Sequence, residues 1–360
     1  MKIGKVPENV LKRSVLRQIQ TKRDEIISGA GIGEDCAHFS FDGAVMMTCM
    51  QTSAVGASET YFQKKPSAAA VYGEESQPAG AAEIAGREEA VSVGRLIGRC
   101  ANNLAAAGAE PVGVMIALTL PEETEEPELK ALMAAAEARC KELRLQIAGG
   151  QTLVSRVVRQ PVAAVTGYGR ALAPVCTGQS KKKTVCAGQD IVVSKWIGLE
   201  GTAILAGRHR EKLLQRYPAY FVEEAAGFDR FHSVIPEAAT AVKSGVCMMH
   251  DASEGGIFGA LWELAERAGV GLTIDLKKLP LRQETVEVCE CCNVNPYELL
   301  SGGALVMVTG DGAGLAAALE AEKIPAAVVG RITDGNDRII LNGEESRYLD
   351  RPKGDEIYRQ

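Results

Sequence analysis

The spacing of apolar residues alternates between helical and strand patterns in the first half of the chain. Near the N-terminus, apolar residues recur every four positions, which predicts a first helix; they are Leu11, Val15 and Ile19. Apolar runs at 44–48 and 111–122 predict strands. The stretch 96–111 between them, "LIGRCANNLAAAGAEP", predicts a helix that stops at Gly108, because glycine commonly follows the last helical residue.

The same alternation continues to about residue 170. An amphipathic helix is predicted over 128–143, followed by strands over 143–150 and 161–169. Residues 63–92 break this rhythm with small and charged residues and no large apolar face, which predicts a mobile insertion outside the core. The first half therefore predicts a layered α/β domain.

The second half repeats strand–turn–helix units after a polar junction at 176–190. These units are predicted over 190–207, 246–276 and 304–319. We expect a first domain over 1–172, a second α/β domain of similar size over 173–345, and a tail over 346–360.

Length and composition agree with two globular domains. The chain has 360 residues, of which 46% are hydrophobic and 24% charged. The net charge is −6 and basic residues are mixed with acidic ones, so we expect no nucleic-acid partner. No apolar run is long enough for a membrane span, and we expect a cytoplasmic protein. Ten cysteines, single except for "CECC" at 289–292, favour reduced, packed or surface thiols over a metal site.

The strongest local signal for chemistry lies at 248–256. An apolar strand is predicted to end at His250, Asp251 and Glu254 flank Ser253, and a glycine pair, Gly255 and Gly256, opens a helix. Such a turn presents free amides to an anion, and the two carboxylates could hold magnesium. The alternative is a plain helix cap in which Ser253 or Asp251 is the N-cap residue.

Two further glycine-rich stretches are weaker signals. "GAGIGEDCAHF" at 29–39 places Glu34 and Asp35 after glycines but lacks a phosphate-loop lysine. "AGGQTLVS" at 148–155 resembles backbone cleared for a phosphate, yet the glycine pair is followed by the neutral Gln151 and then Thr152.

Seven stretches in order resemble the aminoimidazole ribonucleotide (AIR) synthase superfamily, which has the PurM-like fold. They are "GAGIGEDCA", "ANNLAAAGAEPVGVMIALTLPE", "IAGGQT", "PVAAVTGYG", "GQDIVVSKWIGLEGTAILA", "HDASEGGIFGALWELAERAGVGLTID" and "SGGALVMV". Within the superfamily the chain is most similar to HypE-type hydrogenase maturation proteins and their AIR synthase-related relatives, and more distantly to thiamine-monophosphate kinase. The resemblance covers about residues 4–341 except the insertion.

The resemblance implies two α/β domains, a homodimer that pairs through the N-terminal sheet, and ATP bound with magnesium in a cleft. Transferred by motif, the expected magnesium ligands are Asp35, Asp251 and Glu254. The expected nucleotide-binding residues are Asp35, Asn103, Gly149, Gly150, Gln151, Thr152, Ser253, Gly255 and Gly256. No catalytic residue follows from the motifs.

Three positions depart from the acidic pattern of the family. Cys49, Asn103 and Gln151 stand where relatives commonly carry carboxylates, and Asn102 precedes the second of them. A neutral amide gives a hard dication little charge compensation, so two alternatives remain open. Either the remaining acids suffice for one metal, or the fold persists as a binding scaffold. For Cys49 we favour a small buried thiol at a strand end over a catalytic role.

The C-terminus departs from HypE-type proteins, in which a terminal cysteine is carbamoylated and then dehydrated with ATP. This chain ends "RPKGDEIYRQ", so we expect no dehydration of its own tail. The leading hypothesis is an ATP-binding protein that activates an amide or carbonyl oxygen by phosphorylation. The alternatives are a degenerate homodimeric scaffold for a nucleotide or a maturation partner, and a small-molecule kinase.

Overall fold

The computed structural model describes residues 10, 12, 16, 26–28, 31–32, 34, 36–41, 44–56, 91–172 and 185–359. Three groups of predictions fall outside these residues: the first-helix positions Leu11, Val15 and Ile19, the site residue Asp35, and the insertion up to residue 90.

Within the described residues, the N-terminal sheet has seven strands in the order β1-β2-β3-β7-β5-β6, with β4 paired to β3. Their bounds are β1 Ile26–Ser28, β2 Ala37–Phe41, β3 Ala44–Gly56, β4 Val91–Ser92, β5 Ala109–Leu120, β6 Gln146–Val154 and β7 Val162–Ala171. Helix α1 spans Val93–Ala106 and α2 spans Glu126–Leu143. These bounds confirm the helices predicted over 96–111 and 128–143 and the strands predicted at 44–48, 111–122, 143–150 and 161–169, although β6 continues beyond residue 150.

Local sequence accounts for the ends of both helices. The chain leaves α1 through Gly108, whose φ of 87° is readily adopted only by glycine. At the start of α2, the Glu128 carboxylate accepts a hydrogen bond of 3.1 Å from the Glu125 N–H, and a proline lies in the first turn.

The second sheet also has seven strands, in the order β14-β13-β10-β12-β8-β11-β9. Its strands are β8 Asp190–Ser194, β9 Met248–Ala252, β10 Gly271–Asp275, β11 Ala304–Thr309, β12 Ala326–Thr333, β13 Arg338–Asn342 and β14 Glu345–Tyr348. The helices are α3 Leu199–Arg208, α4 Arg210–Leu214, α5 Ala219–Ala226, α6 Ile235–Lys243, α7 Gly256–Ala268, α8 Gln283–Cys292 and α9 Gly312–Ala321. Short 3-10 helices occupy Gly227–Phe231, Leu276–Lys278 and Glu356–Arg359. The mixed α/β fold class is thereby confirmed.

Strand β11 shows why strands of this sheet appear in the sequence as continuous apolar runs. All of its residues are buried. Ala304, Val306 and Val308 pack into one core cluster, whereas Leu305 and Met307 pack into another. Because successive side chains point to opposite faces, both faces of the strand are covered by core.

The chain divides into two compact units, and each unit is built from stretches that are not contiguous in the sequence. The first unit comprises Met1–Cys49, Ala101–Pro111 and Tyr168–Gln360. The second unit comprises Met50–Cys100 and Val112–Gly167. The expected domain ranges 1–172, 173–345 and 346–360 stay a prediction.

The cysteine cluster packs into the core of the first unit. Cys289, Cys291 and Cys292 lie on α8 and are buried against residues that include Val288 and Ile357. Burial raises the pKa of the Cys289 thiol to about 12, so this side chain stays protonated at neutral pH. The packing interpretation of "CECC" is confirmed. Among the helices that the structure describes, none has the length and hydropathy needed to cross a membrane.

Candidate functional site

The turn between β9 and α7 carries the strongest sequence signal. Strand β9 continues to Ala252 rather than ending at His250, so the predicted strand end is wrong by two residues. Asp251 therefore lies in the strand and is buried, with 2% of its surface exposed. Ser253 and Glu254 follow it and are half-buried. Gly255, at φ 90°, is the N-cap residue of α7.

The first amides of α7 are already hydrogen-bonded within the chain. The Gly255 N–H donates to Asp355 Oδ2 at 2.7 Å. The Gly256 N–H donates to the Ser253 carbonyl at 3.1 Å, and the Phe258 N–H donates to the Tyr297 carbonyl at 3.1 Å. The expectation of free amides is therefore wrong for these three groups. The alternative of a Ser253 or Asp251 cap is wrong as well, because the cap residue is Gly255.

Asp355 is the anion at this helix end, and no pattern in the sequence pointed to it. Its carboxylate accepts hydrogen bonds from the N–H groups of Gly255 at 2.7 Å, Ile357 at 2.9 Å and Leu300 at 3.1 Å. Burial raises its pKa to about 7, although the three backbone hydrogen bonds act in the opposite direction. The nearby Glu254 carboxylate raises that pKa further. A partly ionised carboxylate thus sits where a phosphate was expected.

Packing explains the second glycine of the pair. A Cβ atom on Gly256 would lie 2.5 Å from the Tyr297 carbonyl oxygen and 2.8 Å from that of Leu299. Its φ of 65° is also disfavoured for other residues. Gly256 is therefore required by the backbone that crosses the start of α7, whether or not a ligand binds.

A buried lysine lies next to this turn and was not selected from the sequence. Lys195, directly after β8, is 7% exposed and its Nζ pairs with Glu237 Oε1 at 2.5 Å. The ammonium also donates to the carbonyls of Phe231 at 2.8 Å and Ser233 at 2.6 Å. Burial lowers the pKa of Lys195, whereas Glu237 and then Asp251 raise it. Asp251 thus lies within electrostatic reach of the Lys195 side chain.

Asn102 holds the loop at 231–234, which Lys195 also contacts. Its side-chain Nδ2 donates to the His232 carbonyl at 2.7 Å, and its Oδ1 accepts from the Val234 N–H at 3.0 Å. Asn102 is fully buried, so both ends of the amide are used to fix the backbone. The adjacent Asn103 is half-buried, and its carbonyl accepts a hydrogen bond from Cys36 Sγ at 3.4 Å.

The "SGG" motif at 301–303 packs against the same loop. His232 Nε2 lies 3.5 Å from Glu200 Oε2, and both side chains are almost fully buried. A Cβ atom on Gly302 would lie 2.2 Å from that Glu200 oxygen, and one on Gly303 would lie 2.6 Å from the Phe231 carbonyl oxygen. These glycines are explained by close packing.

The other glycine pair lies in the second unit and is part of a strand. β6 runs parallel to β5, with Gly149 opposite Met115 and Gly150 opposite Ile116. A Cβ atom on Gly150 would lie 1.9 Å from the Ile116 carbonyl oxygen. The strand continues through Gln151 and Thr152 to Val154, so the predicted end at residue 150 is wrong. Gln151 is exposed.

The first acidic motif reaches the opposite end of α7. Glu34 forms an ion pair with Arg267 at 3.1 Å, in the last turn of the helix, whereas Glu254 precedes the first turn. At 1.5 Å per residue, the eleven steps from Gly256 to Arg267 span about 16 Å. Glu34 and Glu254 of one chain therefore lie too far apart to hold one metal ion.

Cys49 lies inside β3 rather than at a strand end, because the strand continues to Gly56. Its burial, with 7% exposed, agrees with the predicted small buried thiol. A carboxylate at this position would be buried as well, at a high cost in solvation.

The expected magnesium ligands Asp251 and Glu254 stay a prediction. Within the described ranges, no group of three or more His, Cys, Asp or Glu side chains could hold a metal ion. Asp251 raises the pKa of the buried Lys195, so these two side chains interact electrostatically.

The sequence analysis did not select five buried charged or polar residues near this turn: Lys195, Glu200, His232, Glu237 and Asp355. One signal existed: in "DIVVSK" the lysine follows the apolar run 191–193 and Ser194, and a lysine at the end of a buried strand needs a partner. No local signal identifies Asp355, because two of the amides it binds belong to residues 255 and 300.

Two protein-family models match the chain. The model for the N-terminal domain of AIR synthase related proteins matches residues 90–171, and the model for the C-terminal domain matches residues 187–342. Together they cover most of both sheets.

Curated relatives match about three fifths of the chain. It is 27% identical over 217 residues to a putative hydrogenase expression/formation protein of Methanocaldococcus jannaschii, covering 60% of this chain and 61% of that protein. It is 30% identical over 235 residues to the carbamoyl dehydratase HypE of Rhodobacter capsulatus, covering 64% and 66%. The match thus spans less than two thirds of the length of either relative.

The fold has counterparts among solved structures. A crystal structure of the hydrogenase maturation protein HypE in complex with ATP superposes with a TM-score of 0.65 and 16% identity, covering 97% of this chain and 96% of the other. At this identity the likeness establishes the fold, which is the PurM-like fold expected from the sequence.

Proposed function

Because the chain belongs to the AIR synthase related protein family, we propose that it is an ATP-binding protein of the HypE type. It acts, in this proposal, by phosphorylating an amide or carbonyl oxygen and so making that oxygen a leaving group. The observation that carries the proposal is the similarity over 217 and 235 residues to a hydrogenase formation protein and a carbamoyl dehydratase.

The proposed nucleotide contacts are mainly neutral. The proposed contacts of the second unit are Gly149, Gly150, Gln151 and Thr152. Those of the first unit are Asn103, Ser253, Gly255 and Gly256. Asp35 is also proposed, and it lies outside the described residues. Amide and hydroxyl groups recognise phosphate oxygens as hydrogen-bond donors without adding negative charge. Phosphoryl transfer depends on positioning and on charge neutralisation. No step of the proposal runs through a metal ion, and Asp251 and Glu254 stay proposed ligands only.

Calorimetry with ATP, in the presence and absence of magnesium, tests the proposal directly. We expect heat of binding and a rise in the unfolding temperature at millimolar nucleotide, because a ligand that binds only the folded state stabilises it. No heat and no thermal shift would reject nucleotide binding.

The rival proposal is a scaffold with little turnover, which binds a nucleotide or a maturation partner. It is favoured by Cys49, Asn103 and Gln151, where the family pattern has carboxylates. The test is the double variant Asn103→Asp with Gln151→Asp. Cys49 is left unchanged, because a carboxylate in its buried position would destabilise the fold.

The outcome of the double variant separates the two proposals. A gain of magnesium-dependent ATP hydrolysis over an inactive natural protein would support the scaffold. Turnover by the natural protein, with no gain in the variant, would reject it.

We also propose a homodimer that forms through the sheet of the second unit. Large apolar side chains are exposed there, including Met115 at 41% and Leu153 at 40%. By the β5–β6 register, Gln151 lies opposite Ala117, and both are exposed on the same face as these residues. A neutral amide is less costly than a carboxylate to bury under a second copy.

Light scattering tests this dimer. We expect Met115→Lys to shift the molar mass from dimer to monomer, because it places a charge in the centre of the apolar face. The matched control is Ala138→Lys on the exposed side of α2, which should leave the mass unchanged. A monomeric natural protein, or a Met115→Lys variant that remains dimeric, would contradict the proposal.

A further inference from the structure

The end of the chain, residues 349–359, is held against α7 at several points; we call this segment the tail clamp. Leu349 is buried in the core cluster of the second sheet, and its N–H donates to the Arg338 carbonyl at 2.8 Å. Ile357 is buried in the cluster that contains the α8 cysteines. The Glu356 N–H donates to the Glu298 carbonyl at 3.3 Å. The tail clamp is thus a docked part of the first unit.

Between these apolar anchors, the tail clamp delivers one carboxylate to the start of α7. Asp355 is 2% exposed and accepts from the N–H groups of Gly255, Leu300 and Ile357. Three backbone donors converging on one carboxylate at a helix N-terminus form the kind of contact that proteins use to bind phosphate or sulfate. The anion here comes from the protein itself.

The tail clamp also covers the outer side of the glycine turn. Pro352 lies 3.9 Å from the Cβ positions that would extend from Gly255 and Gly259. The same helix residues and Glu298 line a small cavity together with residues 350–354. A ligand that approached Gly255 would therefore meet Pro352 and Asp355 first.

We propose that the tail clamp is an autoinhibitory element, in which Asp355 occupies the anion position at the start of α7 and excludes an external phosphate until the segment undocks. The identity of that phosphate as part of a nucleotide rests on the proposed function. The exclusion itself rests only on the contacts of Asp355 and Pro352, because one carboxylate and one phosphate cannot accept from the same amides at the same time.

The decisive variant is Asp355→Ala in the full chain, with Asp350→Ala as its matched control. Both changes remove one carboxylate from the same segment. The Asp350 side chain is 73% exposed and lies 3.6 Å from Lys353, whereas the N–H groups of Gly255, Gly256 and Phe258 donate to Asp355, Ser253 and Tyr297. Should Asp355→Ala fail to fold, Asp355→Asn keeps one oxygen for Leu300 and Ile357 and loses the acceptor for Gly255.

Trypsin cleavage after Lys353 reports the undocking of the tail clamp. Hydrogen exchange of amides 255–258, with and without inorganic phosphate, reports anion binding at the turn. We expect faster cleavage and phosphate-dependent slowing of exchange in Asp355→Ala, and neither effect in the natural protein or in Asp350→Ala. We also expect Asp355→Ala to bind ATP about tenfold more tightly, which corresponds to about 1.4 kcal/mol.

The inference is overturned if cleavage of Asp355→Ala accelerates while phosphate leaves hydrogen exchange of amides 255–258 unchanged. It is also overturned if cleavage accelerates in neither Asp355→Ala nor Asp355→Asn. Equal ATP affinity of all variants, with the segment undocked, would also overturn it while leaving the proposed function standing. If no variant binds ATP, the proposed function fails, and the phosphate measurement still decides the role of the tail clamp.

Discussion

The two glycine pairs look alike in the sequence and lie in different surroundings. Gly149 and Gly150 are part of strand β6 in the second unit, whereas Gly255 and Gly256 begin helix α7 in the first unit. In each pair the second glycine is required by a close carbonyl oxygen, that of Ile116 for Gly150 and that of Tyr297 for Gly256. A glycine pair alone is therefore weak evidence for phosphate binding, because close packing can require the same residues.

The pairs differ in what occupies the space beside them. β6 is an edge strand and its residues are largely exposed. The start of α7 is closed by the Asp355 carboxylate and by backbone carbonyls. A phosphate can thus reach the first pair without rearrangement of the described chain, whereas the second pair requires the tail clamp to move.

The largest expected effect is on the β6 pair. Gly150→Ala should lower the free energy of unfolding by about 3 kcal/mol, because the new Cβ would overlap the Ile116 carbonyl. The control is Gly149→Ala, whose nearest neighbour would be Met115 Cε at 3.9 Å, and which should cost about 1 kcal/mol. Denaturant unfolding measures both values. Equal losses would show that β6 can move away from β5.

The α7 pair should show the next largest effect. Gly256→Ala and Gly269→Ala introduce the same side chain at φ values of 65° and 66°, but only Gly256 has backbone atoms close to the new Cβ. We expect about 1 kcal/mol for Gly269→Ala from backbone strain alone. Gly256→Ala should cost about 2 kcal/mol more. If thermal and denaturant unfolding give the same loss for both variants, packing does not determine the second glycine.

The closed state of the α7 pair should also appear as a pH dependence. The pKa of Asp355 is about 7 in the folded protein, above the unfolded value of 3.8. The folded state therefore binds more protons between these values, and the stability from this group is full at low pH and lost as the pH rises through about 7. The slope should be at most about 1.4 kcal/mol per pH unit.

Asp355→Asn removes this titration and should flatten the profile between the two pKa values. Denaturant unfolding of both proteins over this pH range measures the difference. A natural protein whose stability rises with pH more steeply than that of the variant would contradict the buried, partly protonated carboxylate.

The smallest expected effect concerns Gln151. Gln151→Asp should change the free energy of unfolding of the monomeric protein by less than about 0.5 kcal/mol, because the side chain is exposed. The same variant should weaken the proposed homodimer, since it adds a charge to the apolar face. Unfolding and light scattering at several protein concentrations separate the two effects. A large loss of stability in the monomer would show that Gln151 has an internal partner.

Sequence periodicity predicted the elements well where burial is strongly patterned. The helix before Gly108, strand β5 and the fully buried β11 follow directly from apolar spacing and glycine punctuation. The ends of β6 and β9 were placed too early, because glycine after one strand and a polar run after the other resemble turns. Pairing with β5 and β11 keeps these residues in the strands.

The site could be predicted only where its partners are close in sequence. Asn102 contacts residues 232 and 234, and Asp355 contacts residues 255 and 300, so their roles depend on long-range contacts. Lys195 was also missed, although its position after an apolar strand indicated a buried charge. The family resemblance is confirmed by the two domain models, but it could not show that the Asp355 carboxylate accepts a hydrogen bond at the start of α7.

Hydrogen exchange of the natural protein, measured with and without ATP, tests the central comparison most directly. Without ligand, the amides of Gly255, Gly256 and Phe258 should exchange slowly because Asp355 and backbone carbonyls accept from them. With ATP, exchange should slow at 149–152 and stay unchanged at 255–258. Slowing at 255–258 while the tail clamp remains docked, with no change at 149–152, would contradict the account.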